Sequence, residues 1–431
     1  MTAQGTRCRP LPRPSLAGML ALLLTASAAA VEWRGDLTAE TFLFAAPGAQ
    51  QQARTNAALA VGGELWHDID SRQRISASPL LRIDQRDSRR HRIDLQEAYW
   101  SLHDGGTQWQ AGLRQVFWGV TEGVHLVDIV NQTDQAGALN GEQKLGQPLL
   151  GLRHEQGAHS LELYVLTGAR ERRFAGSHGR LRLPLVVDHA AATYESSREN
   201  RRLDTAGRWQ YNPGALRLGL SAFSGTAREP ELRPAIDMSQ VVFAGGVPVA
   251  FAPGYTPRLV PHYGLLRQLG VDAQYTQGDL LWKLEAVQRN GGAENHQAAA
   301  AGLEYTQVGV ADSRADLGWL LEYLHDSRDA RATTPFEHDL LLGWRLALNN
   351  TGSSELLASV IVDLRTQERL LSLEGRHRLR DDLRLDVEMR LTGHTPPPQT
   401  AFDFVFANDG VHKLRPLAAD DYLRLALSWF F

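Results

Sequence analysis

Arginines and carboxylates alternate near the carboxyl end of this 431-residue chain at the two-residue spacing that places them on one face of a β-strand. Glu374, Arg376 and Arg378 form one run, Arg384, Asp386, Glu388 and Arg390 a second, and Arg424 follows near the end. A guanidinium never loses its charge and grips carboxylates or phosphates through two parallel N–H bonds. A wall lined in this way can satisfy itself through cross-strand ion pairs, or it can present fixed charge to passing ions. A second group lies further upstream. Arg114 comes late in a strand-like run, and Glu122, Asp128 and Asp134 follow in the loop after it. Folded inward, that segment would pair its acids with wall arginines and narrow the space the strands enclose. Arg114, Arg376, Arg378, Arg384, Arg390 and Arg424 are therefore the candidate lining residues. Glu122, Asp128 and Asp134 are the candidate constriction residues, with anchoring and direct solute contact both open as roles.

Other chemistries find less support. A hydrolase needs a nucleophile oriented by a base. The chain has no Gly-x-Ser-x-Gly, and His125, His178, His189 and His262 are scattered through segments without an evident serine partner. No His-x-x-x-His or paired acidic spacing reads as a metal site, so no metal and no cofactor is expected. Cys8 is the only cysteine, which excludes a disulfide framework. The formal charge is −4, and loss of the first thirty residues with Arg7, Arg9 and Arg13 would make it −7, so nucleic acid is not an expected partner.

The amino terminus supplies a context for these residues. A basic stretch, a short apolar run from Leu16 to Leu24 and the small residues Ala28-Ala29-Ala30 have the order of a secretory leader. Cleavage is expected after Ala30, leaving Val31–Phe431 as one domain. No later apolar run is long enough for a transmembrane helix. A single soluble domain of that length would be unusually large.

Alternation instead predicts about 18 strands, near 33–44, 55–68, 72–86, 91–103, 107–118, 147–156, 159–167, 202–211, 215–224, 267–276, 280–289, 297–307, 316–325, 336–348, 354–366, 368–379, 383–393 and 421–431. In the clearest, Leu383, Leu385, Val387, Met389 and Leu391 alternate with Arg384, Asp386, Glu388 and Arg390. Every second connection is short, as at Asp70-Ser71, Gln156-Gly157-Ala158 and Arg380-Asp381-Asp382. The others include four long ones near 119–146, 168–201, 225–266 and 394–420. Apolar-out, charged-in strands with connections in this phase predict a transmembrane antiparallel up-and-down β-barrel of about 18 strands (16 if one hairpin is over-split), with short periplasmic turns and long outer loops. Trp282, Trp319, Trp344 and Trp429 fall in the lipid-facing phase, as interfacial aromatics would. One loop stretch, Val241 to Phe251, is apolar. It is expected to fold inward as a plug or gate, or to contact lipopolysaccharide or an apolar solute.

Two segments resemble known proteins. In the last strand Leu423, Leu425, Leu427, Trp429 and Phe431 share one face and the chain ends on Phe431, which resembles the closing strand of Gram-negative outer-membrane barrels. That resemblance implies recognition by the barrel-assembly machinery. The segment from Gly112 to Asp134 resembles a proteobacterial group of porin-like outer-membrane proteins, in which a Gly-Arg-Gln strand ends in Trp-Gly, followed by an acidic-Gly pair and Asp-x-x-Asn-Pro-x-Asp. Arg114, Gln115, Trp118, Gly119, Glu122, Gly123, Asp128, Asn131 and Asp134 match; Leu113 intervenes after Gly112, and Gln132 stands where proline is usual. The resemblance implies a bacterial outer-membrane location, contact with lipid and lipopolysaccharide, and passive passage of small solutes rather than enzymatic turnover. Anionic organic compounds are the solutes the arginines suggest. A transporter of hydrophobic compounds with an apolar gating loop is the alternative, and a barrel hydrolase the more distant one.

Overall fold

The computed structural model describes residues 31–136 and 142–431. The leader expected at 1–30 lies outside the described residues. In chain order the strands are β1 (Glu32–Phe44), β2 (Thr55–Asp68), β3 (Gln73–Asp84), β4 (Arg92–Asp104), β5 (Thr107–Arg114), β6 (Gln147–Gln156), β7 (His159–Thr167) and β8 (Thr193–Tyr194). Next come β9 (Leu203–Tyr211), β10 (Leu216–Thr226), β11 (Glu231–Ala235), β12 (Val241–Ala244), β13 (Val247–Phe251), β14 (Arg258–Tyr263), β15 (Leu265–Gln277) and β16 (Leu280–Gly291). The last are β17 (His296–Gln307), β18 (Asp316–Asp326), β19 (His338–Ala347), β20 (Glu355–Asp363), β21 (Arg369–Arg380), β22 (Leu383–Gly393) and β23 (Tyr422–Phe430).

All but β8 and β11–β14 belong to one 18-stranded antiparallel sheet, in which each strand pairs with the barrel strands before and after it. The sheet closes through β1 and β23, from Asp36 opposite Phe430 to Phe44 opposite Tyr422. Gly35 and Phe431 exchange backbone hydrogen bonds of 2.8 and 2.9 Å at the seam, which ties the terminal residue into the ladder. Closure leaves no edge strand, the condition for a sheet in lipid, although β4 runs beyond the end of β5.

The alternation has a direct energetic cause. Leu423, Leu425 and Leu427 point outward, while Tyr422, Arg424, Ala426 and Ser428 point into the lumen; a charge on the outer face would cost about 2–4 kcal/mol at mid-membrane. Trp319 and Trp344 sit opposite each other on the outer face. At one end the connections are tight. β6 and β7 are joined by Gly157-Ala158 and β15 and β16 by Gly278-Asp279, with Gly157 at φ +60° and Gly278 at φ +61°. Two-residue hairpins need positive φ there, and glycine supplies it without steric cost.

The four long connections occupy the other end, and two of them enter the barrel. Residues 115–136 lie against the inner wall, where Trp118, Val127, Ile129 and Val130 form one apolar cluster with Leu149, Leu166, Phe223, Leu266 and Val287. Residues 168–202 cross the lumen. Leu181 packs with Phe42, Phe44 and Tyr422 on the closing strands, and Arg180 donates to Asp420 and to the carbonyls of Ala46 and Ala53. Leu185 and Val187 join Leu259, Phe404 and Val405 in a capping layer that includes the short helix Ala401–Phe406.

Two expectations need correction. The strand predicted over 107–118 stops at Arg114, because Gln115 to Trp118 turn into the lumen, where Trp118 is 1% exposed. The apolar stretch 241–251 is not a plug. It forms the β12–β13 hairpin, with Val242, Phe243, Val247 and Val249 exposed and Phe251 resting edge-on against Phe402.

Candidate functional site

The inward turn after β5 is held by a small set of polar side chains. Asn131 donates to the carbonyls of Arg114 and Leu145, at 2.8 Å each, and accepts from the Val116 N–H. Asp128 accepts from the Trp118 N–H and lies 3.1 Å from the Lys144 ammonium. Burial pushes the Asp128 carboxyl up, and Lys144 opposes that shift. Asp134 is bound by Arg92 at 3.0 Å and Arg173 at 2.7 Å. The residues that matched the resemblance thus build the fold of the loop itself.

The wall then grips the loop through carboxylates that sequence reasoning did not single out. Glu285 on β16, fully buried, accepts from the N–H groups of Val120, Thr121 and Val127 and from the Thr121 hydroxyl. Glu322 on β18 accepts from the N–H groups of Glu122 and Gly123. Glu162 on β7 accepts from the Trp118 indole at 3.0 Å. Cations complete the seat: Arg228 donates to the Val130 carbonyl and Arg289 to that of Leu126. Each buried donor or acceptor left unmade would cost about 1–3 kcal/mol, so these contacts fix the loop's position. No local signal marks them: Glu285, for instance, shares the inward phase of β16 with Lys283 and Arg289.

The two predicted sets occupy different regions. Glu122, Asp128 and Asp134 all lie in the inward loop, but Asp128 and Asp134 are buried in their ion pairs. Glu122 is partly exposed and accepts from Arg345 of β19 at 2.7 Å. Arg114 stacks on Tyr99 at 3.9 Å from the ring centre and faces Glu97 at 3.6 Å. The other five arginines belong to the arc β21–β23. Arg376 and Arg384 share Asp386, at 3.1 and 2.8 Å. Arg390 pairs with Glu374, and Arg424 reaches Glu40 at 2.7 Å and Glu388 at 3.4 Å. Arg378 donates to the Thr351 carbonyl. Neighbouring strands therefore neutralise one another; the Arg376 side chain stays 57% exposed, whereas those of Arg390 and Arg424 are largely buried.

Loop and arc approach each other at Glu142. Its carboxyl is pushed up first by burial and then by the nearby Glu374, with Arg390 opposing. Close by, a cavity of about 330 Å³ is lined by Arg82, Arg90, Arg92, Lys144 and Arg173 together with Asp134 and Glu142.

The loop histidines fall in separate settings. His189 packs on Phe174, and burial lowers its pKa to about 4. His125 lies edge-on to Phe117, His178 neighbours the Ser177 hydroxyl at 3.2 Å, and His262 that of Thr193 at 2.9 Å. Among the described residues no three histidines, cysteines or acids are grouped to hold a metal ion.

No protein-family model matches this chain, and no curated protein matches it in sequence. Solved structures match it in shape. Wzi, an outer-membrane protein involved in group 1 capsule assembly in Escherichia coli and described as a carbohydrate-binding β-barrel, superposes with a TM-score of 0.51 at 12% identity, over 96% of this chain and 89% of that one. A mutant of the Rh. blastica porin aligns at TM-score 0.42 and 11% identity, over 93% of this chain and all of its own. The chain thus has the fold of outer-membrane β-barrels.

Proposed function

We propose that this barrel is a porin-like outer-membrane channel through which small solutes pass passively. The carrying observation is that residues 115–136 are pinned against β7, β16 and β18 while the arc β21–β23 is lined by arginine–carboxylate pairs, among which Arg376 stays exposed. Selection would follow size at the narrowing near Glu142 and Arg390, and charge along Arg376, Arg378, Arg384 and Arg424, with anionic organic solutes favoured. The match of residues 112–134 to porin-like outer-membrane proteins supports the same reading. Export through a leader cleaved after Ala30, assembly through Leu423, Leu425, Leu427, Trp429 and Phe431, and contact with lipid and lipopolysaccharide belong to this proposal. A gate made by the 241–251 segment does not, since that hairpin is exposed.

The test is single-channel conductance of the refolded protein in a planar bilayer, with reversal potentials in a salt gradient. Discrete openings with an anion-side reversal are expected. A folded but electrically silent barrel would overturn the open-channel reading.

A further inference from the structure

The wall of the barrel is interrupted at one place. β4 pairs with β5 only from Ala98 to Asp104, because β5 ends at Arg114 and the chain turns inward. Among the described residues, 92–97 of β4 therefore have no strand partner on that side. The adjacent ladder is broken as well. β2 and β3 pair at Gly62–Leu80 and again at Leu65–Ala77, but not between, and the β3–β4 register shifts at Ser78/Pro79. Proline has no N–H to give there. Ile93 registers the missing neighbour: it is 90% exposed, against 42% for Leu81 and 43% for Val61 on the same outer face.

A cavity of about 690 Å³ fills the interruption. Its lining is mixed in a way an intact barrel wall cannot produce. Val61, Leu81, Ile93 and Leu113 belong to the outer, lipid-facing phase, whereas Leu80, Asp94 and Arg170 belong to the interior. Leu80 also lines the arginine-rich luminal cavity, so the two spaces meet at one side chain. Across the gap lies a side-chain bridge: Arg170, just beyond β7, donates to Asp94 of β4 at 3.1 Å.

We propose that this interruption is a lateral portal between the lumen and the membrane, and that it takes an amphipathic anion with one long apolar chain. The chain lies over Gly62, Gly63 and Pro79, where side chains are absent or short. The head passes the Arg170–Asp94 bridge toward a cavity lined by five cationic side chains and two carboxylates. Its volume is in the range of small-molecule sites, about 300–1,000 Å³. The inference needs the barrel to stand in a bilayer, as the proposed function does, but not that it conduct ions.

The experiment uses the full chain with Cys8→Ser, a fluorophore on Leu80→Cys, and vesicles containing doxyl-stearate as a membrane-confined quencher. Labels on Leu81→Cys and Arg376→Cys mark the lipid face and the far luminal wall. Quenching at position 80 close to that at 81 and well above that at 376 is expected. A Cβ at Gly63 meets only ordinary contacts, 3.5 Å to the Arg34 carbonyl and 3.9 Å to Pro79. Gly63→Phe should therefore fill the groove and weaken doxyl-stearate at position 80 about tenfold, about 1.4 kcal/mol, with position 81 unchanged. Arg170→Ala, which opens the bridge, should strengthen quenching. Quenching at 80 no greater than at 376 in all three backgrounds overturns the portal. An equal response to the doxyl-stearate methyl ester overturns the anionic head. Conductance on the same preparations separates the two proposals: current without quenching removes the portal, and quenching without current removes the channel.

Discussion

The inner wall differs sharply between its two halves. From β6 to β18 apolar inward residues are mixed with buried charges: Leu149, Leu166, Phe223 and Val287 stand beside Glu162, Glu285 and Glu322, and Arg208 pairs with Asp272 and Lys283 with Glu304. From β21 through β23 to β1 they are charges of alternating sign. The first surface is dry. Three of its acids, Glu162, Glu285 and Glu322, nevertheless take N–H groups from the inward loop and bury them. The second surface is self-satisfied. Arg376, Arg390 and Arg424 find carboxylates on adjacent strands, and Arg384 finds one on its own. Carboxylates that take N–H groups from a loop thus make a docking surface for chain, and carboxylates that take arginines of the wall leave it satisfied without one.

The comparison breaks most readily at Glu285. Glu285→Ala orphans three backbone donors, at about 1–3 kcal/mol each, and is expected to free loop 115–146. Conductance should rise and hydrogen exchange at Val120, Thr121 and Val127 should accelerate; unchanged exchange would show that the apolar contacts alone hold the loop. Trp118→Ala removes the largest buried side chain of the loop and the donor to Glu162. A loss of about 3–5 kcal/mol is expected, read as a lower urea midpoint for loop protection while the barrel strands stay protected. Arg376→Ala acts on the other half. Its partner is shared with Arg384 and its side chain is largely exposed, so the stability change should stay within about 1 kcal/mol. The reversal potential should nevertheless move toward cations, and no movement would remove Arg376 from the lining.

The smallest effect concerns the cap. Glu337, just before β19, is buried near Lys413, and burial raises its pKa from 4.5 to about 7. A carboxyl with a raised pKa in the closed cap holds its proton where the open form has lost it. Closure is therefore favoured at low pH and weakens as pH rises from about 4.5 to 7, with no further change above. Hydrogen exchange of 327–337 and 394–421 should speed up across that window at 25 °C, and Glu337→Gln should flatten the dependence.

The strands were legible because the bilayer imposes one rule on all of them. The eighteen expected segments each overlap one barrel strand, and the tight turns fall at Gly157 and Gly278, where positive φ is needed. β5 was read too long, since Gln115 to Trp118 keep a strand-like pattern yet leave the sheet. The arginines of β21–β23 were placed on the luminal face for the same periodic reason. Glu142, Glu162, Glu285 and Glu322 were not singled out, because nothing local distinguishes an acid that binds a loop from one that binds an arginine. The apolar 241–251 segment misled in the opposite sense: hydrophobicity gave no indication that its neighbours would leave it exposed.

The sequence by itself determined a closed antiparallel barrel, its inward charges and the identity of its long loops, because alternation and turn chemistry act over a few residues. Only the tertiary structure decided which loops enter the lumen, which half of the wall they cover and where the wall is interrupted. Those outcomes depend on partners far apart in the chain, such as Glu285 with Val120 or Arg180 with Asp420, and no local pattern encodes that distance.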